Sequence, residues 1–169
     1  KNGITRYWRD RIVNRVKVAI QPKTKEVLRT RLLDVVYEPD RVTARQVAVA
    51  IARIARLDYP SAWPTLVSSL HEAIVYAARA ISSPDARLVL IRAAETLVQV
   101  LKEFESVRVM AGRLRMQELA RELLPSLLSI QVEVFTAAFA DAEDLAAWAM
   151  TPHRAELIRA SHLLLKAMQ

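Results

Sequence analysis

The sequence predicts an all-α fold, an α-solenoid of antiparallel helix pairs stacked side by side. Three observations predict it. Apolar residues recur at helical spacing through long windows dominated by Ala, Leu, Val, Ile and Arg. Only 2 of 169 residues are glycine while 53% are hydrophobic, which excludes a disordered chain and a turn-rich β protein. The helical windows are separated by short, proline-marked breaks at a recurring interval, as stacked helix pairs require.

Residues 1–21 read as the end of a preceding repeat and a connector. Within them Ile4–Ile20 holds the end of one helix and then a basic stretch, with Tyr7-Trp8 as its buried anchor. Pro22 suits a first helical position, where a missing N–H costs nothing. The helix it opens is expected to run to about Tyr37, with Val27, Leu28, Leu32, Val35 and Val36 on its apolar side. Glu38-Pro39-Asp40 closes that helix, and Asp40 is placed to cap the next.

The next helix, about Arg41–Leu57, has the clearest pattern. At about 100° per residue, Ala44, Val47, Ala48, Ile51, Ile54 and Ala55 form one stripe. Its many alanines permit close helix approach. Arg41, Arg45, Arg53 and Arg56 fall on the opposite side, with no carboxylate of this helix among them. That side is either a solvated face, with Arg53 and Arg56 favourably near the helix end, or a surface that meets a partner.

A break follows at Asp58-Tyr59-Pro60 and Trp63-Pro64. Proline lacks an N–H and disfavours helix in the preceding residue, so the two prolines bracket a sharp turn. Asp58, Tyr59, Pro60, Trp63 and Pro64 are expected to form an inter-repeat joint, with Trp63 plugging the seam. Full burial of such a ring contributes about 1.5–3 kcal/mol or more.

Two further pairs are expected. The first joins Ser61–Ala80 to Asp85–Phe104 through Ser82-Ser83-Pro84, with Leu66, Leu70, Ile74, Ala77, Leu88, Ile91, Leu97, Val98 and Leu101 inward. The second opens with a long helix, about Val107–Phe139, which Pro125 should kink or interrupt unless local packing compensates. Asp141-Ala142-Glu143-Asp144, Leu145–Met150 with Trp148, and Pro152 then lead to a final helix, about His153–Met168, burying Leu157, Ile158, Leu164 and Leu165. Pairs thus begin near Pro22, Ser61 and Val107, an interval of roughly 40–45 residues, the period of HEAT or armadillo units rather than of shorter TPR or ankyrin repeats. The expected units are 22–58, 59–105 and 106–169, the last with a long first helix.

Composition narrows the functional classes. No cysteine is present, so neither a disulfide nor a thiolate metal site can form, which fits a reducing compartment. His71, His153 and His162 are far apart, and Ser61, Ser68, Ser69 and Ser126 have no nucleophile-elbow context. With only Gly3 and Gly112, no glycine-rich phosphate loop is available. No enzyme, metal or cofactor chemistry is therefore expected. No uninterrupted apolar run approaches the roughly 18 residues of a membrane span, so membrane insertion is not expected either. The start, Lys1-Asn2-Gly3, lacks an initiator Met and a secretory signal and reads as an excerpt of a longer chain.

The net charge of +7 is lopsided. Residues 1–60 carry 14 Lys/Arg against 6 Asp/Glu, and the remainder 11 against 12. A basic end attracts acidic protein surfaces, phosphates and nucleic acid alike. Nucleic-acid binding calls for aromatics interleaved with the basic groups, and the arginine face has none, so direct contact with nucleic acid is not expected.

The phrases K-N-G-I-T-R-Y-W-R (Lys1–Arg9), L-R-T-R-L-L (Leu28–Leu33), E-P-D (Glu38–Asp40) and Q-V-A-V-A-I-A-R-I-A-R-L-D-Y-P-S-A-W-P-T-L (Gln46–Leu66) resemble the amino-terminal HEAT repeats of the importin-β (karyopherin-β) superfamily, most of all its importin-eleven branch. The resemblance covers about Lys1–Leu70 and implies a nuclear transport receptor that shuttles between nucleus and cytoplasm. It implies Ran-GTP, protein cargo and FG nucleoporins as partners, no enzyme activity, and B helices lining the concave binding surface. Arg41, Arg45, Arg53 and Arg56 then become candidates for meeting Ran or acidic cargo. Two alternatives remain: a helical-repeat scaffold docking on nucleic acid or a ribonucleoprotein through its basic amino-terminal half, and an export rather than import receptor.

Overall fold

The structure is a computed structural model that describes residues 8, 12–13, 16–17, 20–105, 110–139 and 152–169. It is all-α, apart from one short antiparallel pairing of β1 (Ile12–Val13) with β2 (Val16–Lys17). Among the described residues six α-helices follow: α1 (Pro22–Leu32), α2 (Arg41–Asp58), α3 (Leu66–Arg79), α4 (Pro84–Glu105), α5 (Met110–Phe139) and α6 (Pro152–Met168).

The helices form two layers. In one, α4 lies between α2 and α6 and packs against both. The other holds α3 and α5 together with a 3-10 turn at Leu33–Tyr37, with α3 packed on α4 and α5 on α6. This is the layering of a HEAT solenoid, in which each pair buries its apolar face against its neighbours. The α2–α4 seam is built of small residues: Ala44, Ala48, Ala52 and Ala55 on α2, and Ala93 and Ala94 on α4, are all buried. The inward stripe expected for α2 is buried at Ala44, Ala48, Ile51, Ile54 and Ala55 and half-buried at Val47. Leu66, Leu70, Ile74, Leu90, Leu97, Leu127, Val134 and Leu164 complete a continuous core.

Helix ends follow local chemistry. Pro22 stands at the first position of α1, and the Lys25 N–H donates to the Gln21 carbonyl (3.0 Å). Asp40 caps α2: its Oδ1 accepts the Thr43 N–H at 2.7 Å. Hydrogen bonding from Thr43, first its backbone N–H and then its side chain, holds the Asp40 carboxyl below its usual range.

Several expectations are corrected. The first helix stops at Leu32 and tightens into the 3-10 turn, which brings Val35 and Val36 inward while Val27 and Leu28 stay exposed. The half-buried face of α1 is instead Lys25, Arg29 and Leu32. Helix α3 begins at Leu66 rather than Ser61, because the Asp58 carbonyl draws the Ala62 and Trp63 N–H groups into turns (2.7 and 3.1 Å). The Tyr59–Pro60 peptide is cis. On α4, Leu88 is only half-buried and Leu90 takes the central position.

Helix α5 runs through Pro125 without a break in the helix. Pro125 is exposed, so water can take the carbonyl its missing N–H leaves free, while buried Leu123 and Leu127 hold both sides. On α6, Leu157 and Leu164 are buried but Ile158 and Leu165 are exposed; Ala160 and Ser161 take the inward positions.

The segment Met116–Phe139 is long and apolar enough by length and composition to cross a membrane, although charged residues interrupt its apolar run. Its Leu119, Leu123, Leu127, Ile130, Val134 and Ala138 enter the core. Glu118, Arg121, Glu122 and Glu133 are exposed on its outer side, and each such charge is costly inside a bilayer. Tyr7, the Asp141–Asp144 stretch and Leu145–Met150, including Trp148, lie outside the described residues.

Candidate functional site

The small inward face of α2 seats the helix against α4 and turns its arginines outward. Arg41, Arg45, Arg53 and Arg56 are all exposed. Among the described residues, Arg41, Val42, Arg45, Gln46, Val49 and Arg53 line an open trough of about 640 Å³ along the helix. Its lining combines the three arginines with Val42 and Val49, Val42 being 64% exposed.

The four arginines divide. Arg56 donates to Glu103 of α4 at 2.9 Å, so a carboxylate from the neighbouring helix reaches this face where α2 itself supplies none. Arg56 is also not among the trough's lining residues. Among the described residues Arg41, Arg45 and Arg53 make no ion pair within 4 Å.

Beside the trough the basic row continues onto the other helices of its layer. Arg159 of α6 has its guanidinium shifted below the usual arginine range, first by partial burial; Glu95 opposes that shift, and Arg41 and Arg92 add to it. An arginine so shifted still carries its charge at neutral pH. Glu95 on α4 accepts from both Arg92 (3.4 Å) and Arg159 (3.3 Å). Arg92 is 4% exposed and donates from Nε to the Glu38 carbonyl (2.9 Å) and from Nη2 to the Pro39 carbonyl (2.8 Å). Buried Arg87 ties the Ile81 and Ser82 carbonyls (3.2 and 2.8 Å) to Glu156 of α6 (2.7 Å).

The apolar periodicity of α4 does not single out these arginines, because it marks inward positions by their apolar side chains. The one available signal is position: Arg92 directly follows the inward Ile91 and precedes Ala93 and Ala94.

At the far end of α2, Asp58 is buried and gathers three donors onto Oδ2. They are Trp8 Nε1 at 2.7 Å, Arg29 Nε at 2.9 Å and Arg29 Nη2 at 2.6 Å. The Lys25 ammonium and Arg29 guanidinium both lie 5.8 Å from the Trp8 ring centroid, within cation–π range. Tyr59 stacks on Phe104 of α4 with centroids 5.1 Å apart, and Trp63 is 4% exposed. Pro60 is half-buried and Pro64 exposed. These rings are turned to the interior rather than offered to a partner.

The histidines and serines do not assemble a site. His71 Nε2 lies 2.9 Å from Ser126 Oγ, joining α3 to α5, with no carboxylate bonded to that histidine among the described residues. His153 and His162 are exposed on α6. Among the described residues no group of three or more His, Asp or Glu is placed to hold a metal ion.

Known proteins are similar to this chain over part of its length. Over 74 residues, 44% of the chain, it is 42% identical to Importin-11 of Mus musculus. Over that stretch the chain is similar to importin-11-like members of the importin-β family. Importin beta-like protein KAP120 of Saccharomyces cerevisiae is 43% identical over 70 residues, 41% of the chain, and Importin beta-like protein kap113 of Schizosaccharomyces pombe is 28% identical over 130 residues, 77% of the chain. The chain spans only a small part of these importins: 7% of the length of Importin-11, 6% of KAP120 and 12% of kap113. No protein-family model and no solved structure matches it.

Proposed function

We propose that the chain is a HEAT-repeat section of a nuclear transport receptor that binds Ran-GTP, protein cargo or both on the layer formed by α2, α4 and α6. In this reading α2, α4 and α6 are B helices, the repeats run over 22–58, 59–105 and 106–169, and the receptor shuttles between nucleus and cytoplasm past FG nucleoporins. The observation that carries it is the trough on α2, where three guanidinium groups stand unpaired among the described residues in a chain related to importins.

Unpaired exposed arginines contribute little to folding, since even paired surface charges give about 0–1 kcal/mol. They are well suited to steering and holding a negatively charged protein surface. Directionality would come from linkage. If Ran-GTP and cargo compete for one surface, each lowers the other's affinity by the same factor.

Docking on nucleic acid is less well supported by the same geometry. Besides its arginines the trough is lined by valine and Gln46 rather than stacking aromatics, and phosphate-driven binding would fall steeply with salt. The test is titration of the full chain with Ran-GTP and Ran-GDP. A marked preference for the GTP form, weakened by R45E and R53E, supports the reading. Equal affinity for the two forms counts against it.

A further inference from the structure

The trough has a chemistry and a spacing that define a narrower ligand class. We infer that it binds an extended acidic peptide segment with carboxylates at positions i, i+2 and i+6 and an apolar side chain at i+4. This rests on the partner-binding role proposed for the same face.

The spacing follows from two rises. An α-helix advances about 1.5 Å per residue, so Arg41 and Arg45 stand about 6 Å apart along α2 and Arg45 and Arg53 about 12 Å. An extended chain advances about 3.3 Å per residue, so side chains two apart are about 6.6 Å apart and those four apart about 13 Å. These side chains lie on one i, i+4 row, which winds about the helix at roughly 26° to its axis. A strand that follows this row therefore brings carboxylates at i, i+2 and i+6 opposite Arg41, Arg45 and Arg53.

Between Arg45 and Arg53 the helix offers Val49, about 6 Å beyond Arg45, opposite position i+4. Val42, 64% exposed and one turn before Arg45, adds a second apolar side chain to the lining. Gln46 is a neutral side chain able both to donate to and accept from a peptide backbone. Guanidinium groups match carboxylates bidentately, which favours side-chain carboxylates held in register over a diffuse negative field.

A nucleic-acid strand fits this surface less well. Its phosphates would meet the arginines, but its bases would find valine and glutamine where a stacking ring is needed.

Fluorescence anisotropy on the full chain tests the assignment with four probes. One is a labelled dodecapeptide with Glu at i, i+2 and i+6 and Leu at i+4. The second has the same composition with its Glu residues contiguous, the third is an oligouridine of equal charge, and the fourth is Ran-GTP. The patterned peptide is expected to bind about tenfold more tightly than the other two synthetic probes, and R45E or R53E to weaken it about tenfold. R79E, an exposed charge change on α3 outside the trough, should leave binding unchanged. Thermal melts of each variant establish that the fold is intact.

Equal binding of both peptides, binding of oligouridine as tight as the patterned peptide, or no effect of R45E and R53E overturns the assignment. Ran-GTP separates it from the transport proposal. Loss of peptide selectivity with Ran-GTP binding retained defeats the ligand class alone. Peptide selectivity without Ran-GTP binding defeats the transport reading alone.

Discussion

The indole N–H of Trp8 donates to the buried carboxylate of Asp58 across 50 residues of sequence, at 2.7 Å. The same oxygen takes both N–H groups of one edge of Arg29. One side chain at the end of α2 thus fastens the chain's early segment and α1 to the turn that begins with Tyr59. Removing it would strand a buried indole donor and a largely buried guanidinium.

Asp58→Ala is therefore expected to destabilise the fold by about 2–4 kcal/mol, well beyond the loss of one ordinary hydrogen bond. Trp8→Phe, which keeps most of the ring and deletes only the donor, should cost less, about 1 kcal/mol for the bond plus a small packing term. Urea denaturation of the two variants and their double mutant measures the coupling directly. Additive effects would show that the two side chains do not act together.

Arg92 offers a second test. Arg92→Met keeps the buried stem but leaves the Glu38 and Pro39 carbonyls without their donor and Glu95 with Arg159 alone. The expected cost is about 2–4 kcal/mol. Hydrogen exchange should quicken first at the start of α2, whose cap Asp40 adjoins Pro39. Unchanged exchange there would show that the loop does not depend on Arg92.

Acid should weaken the α2 cap. The carboxyl of Asp40 lies below its usual range in the folded chain, so the cap's contribution is present above the unfolded value of about 4 and is lost as pH falls through the folded value. Asp40→Asn caps without titrating, so the difference in melting temperature between the two proteins should shift in favour of the variant between about pH 5 and pH 3. A constant difference across that range contradicts the cap's role.

Much of this architecture is legible in the sequence because buried helices write their periodicity plainly. The alanine stripe of α2 and the Asp40 cap follow from side-chain size and from the chemistry of helix ends. Helix α1 misleads for a physical reason. Its inward side is cationic, Lys25 and Arg29 lying toward Trp8 and Asp58, so the assumption that Val27 and Leu28 face the core fails. Helix α6 misleads similarly, since Ala160 and Ser161 take inward positions while Ile158 and Leu165 remain exposed.

At the candidate site, the exposed arginines of α2 could be placed from one helix alone. The pairing of Arg56 with Glu103 could not, because it depends on how α4 lies beside α2. Nor could the buried roles of Arg87 and Arg92, whose partners are loop carbonyls and glutamates brought near only by stacking of the pairs. Local pattern reports which way a residue faces far better than which residue it meets.

Calorimetry on the full chain tests most directly the proposal that the arginine-bearing layer serves a receptor governed by the nucleotide state of Ran. Ran-GTP should bind far more tightly than Ran-GDP, and the combined R45E and R53E substitutions should weaken the GTP complex without lowering the melting temperature. Indistinguishable affinities for the two nucleotide forms would contradict it.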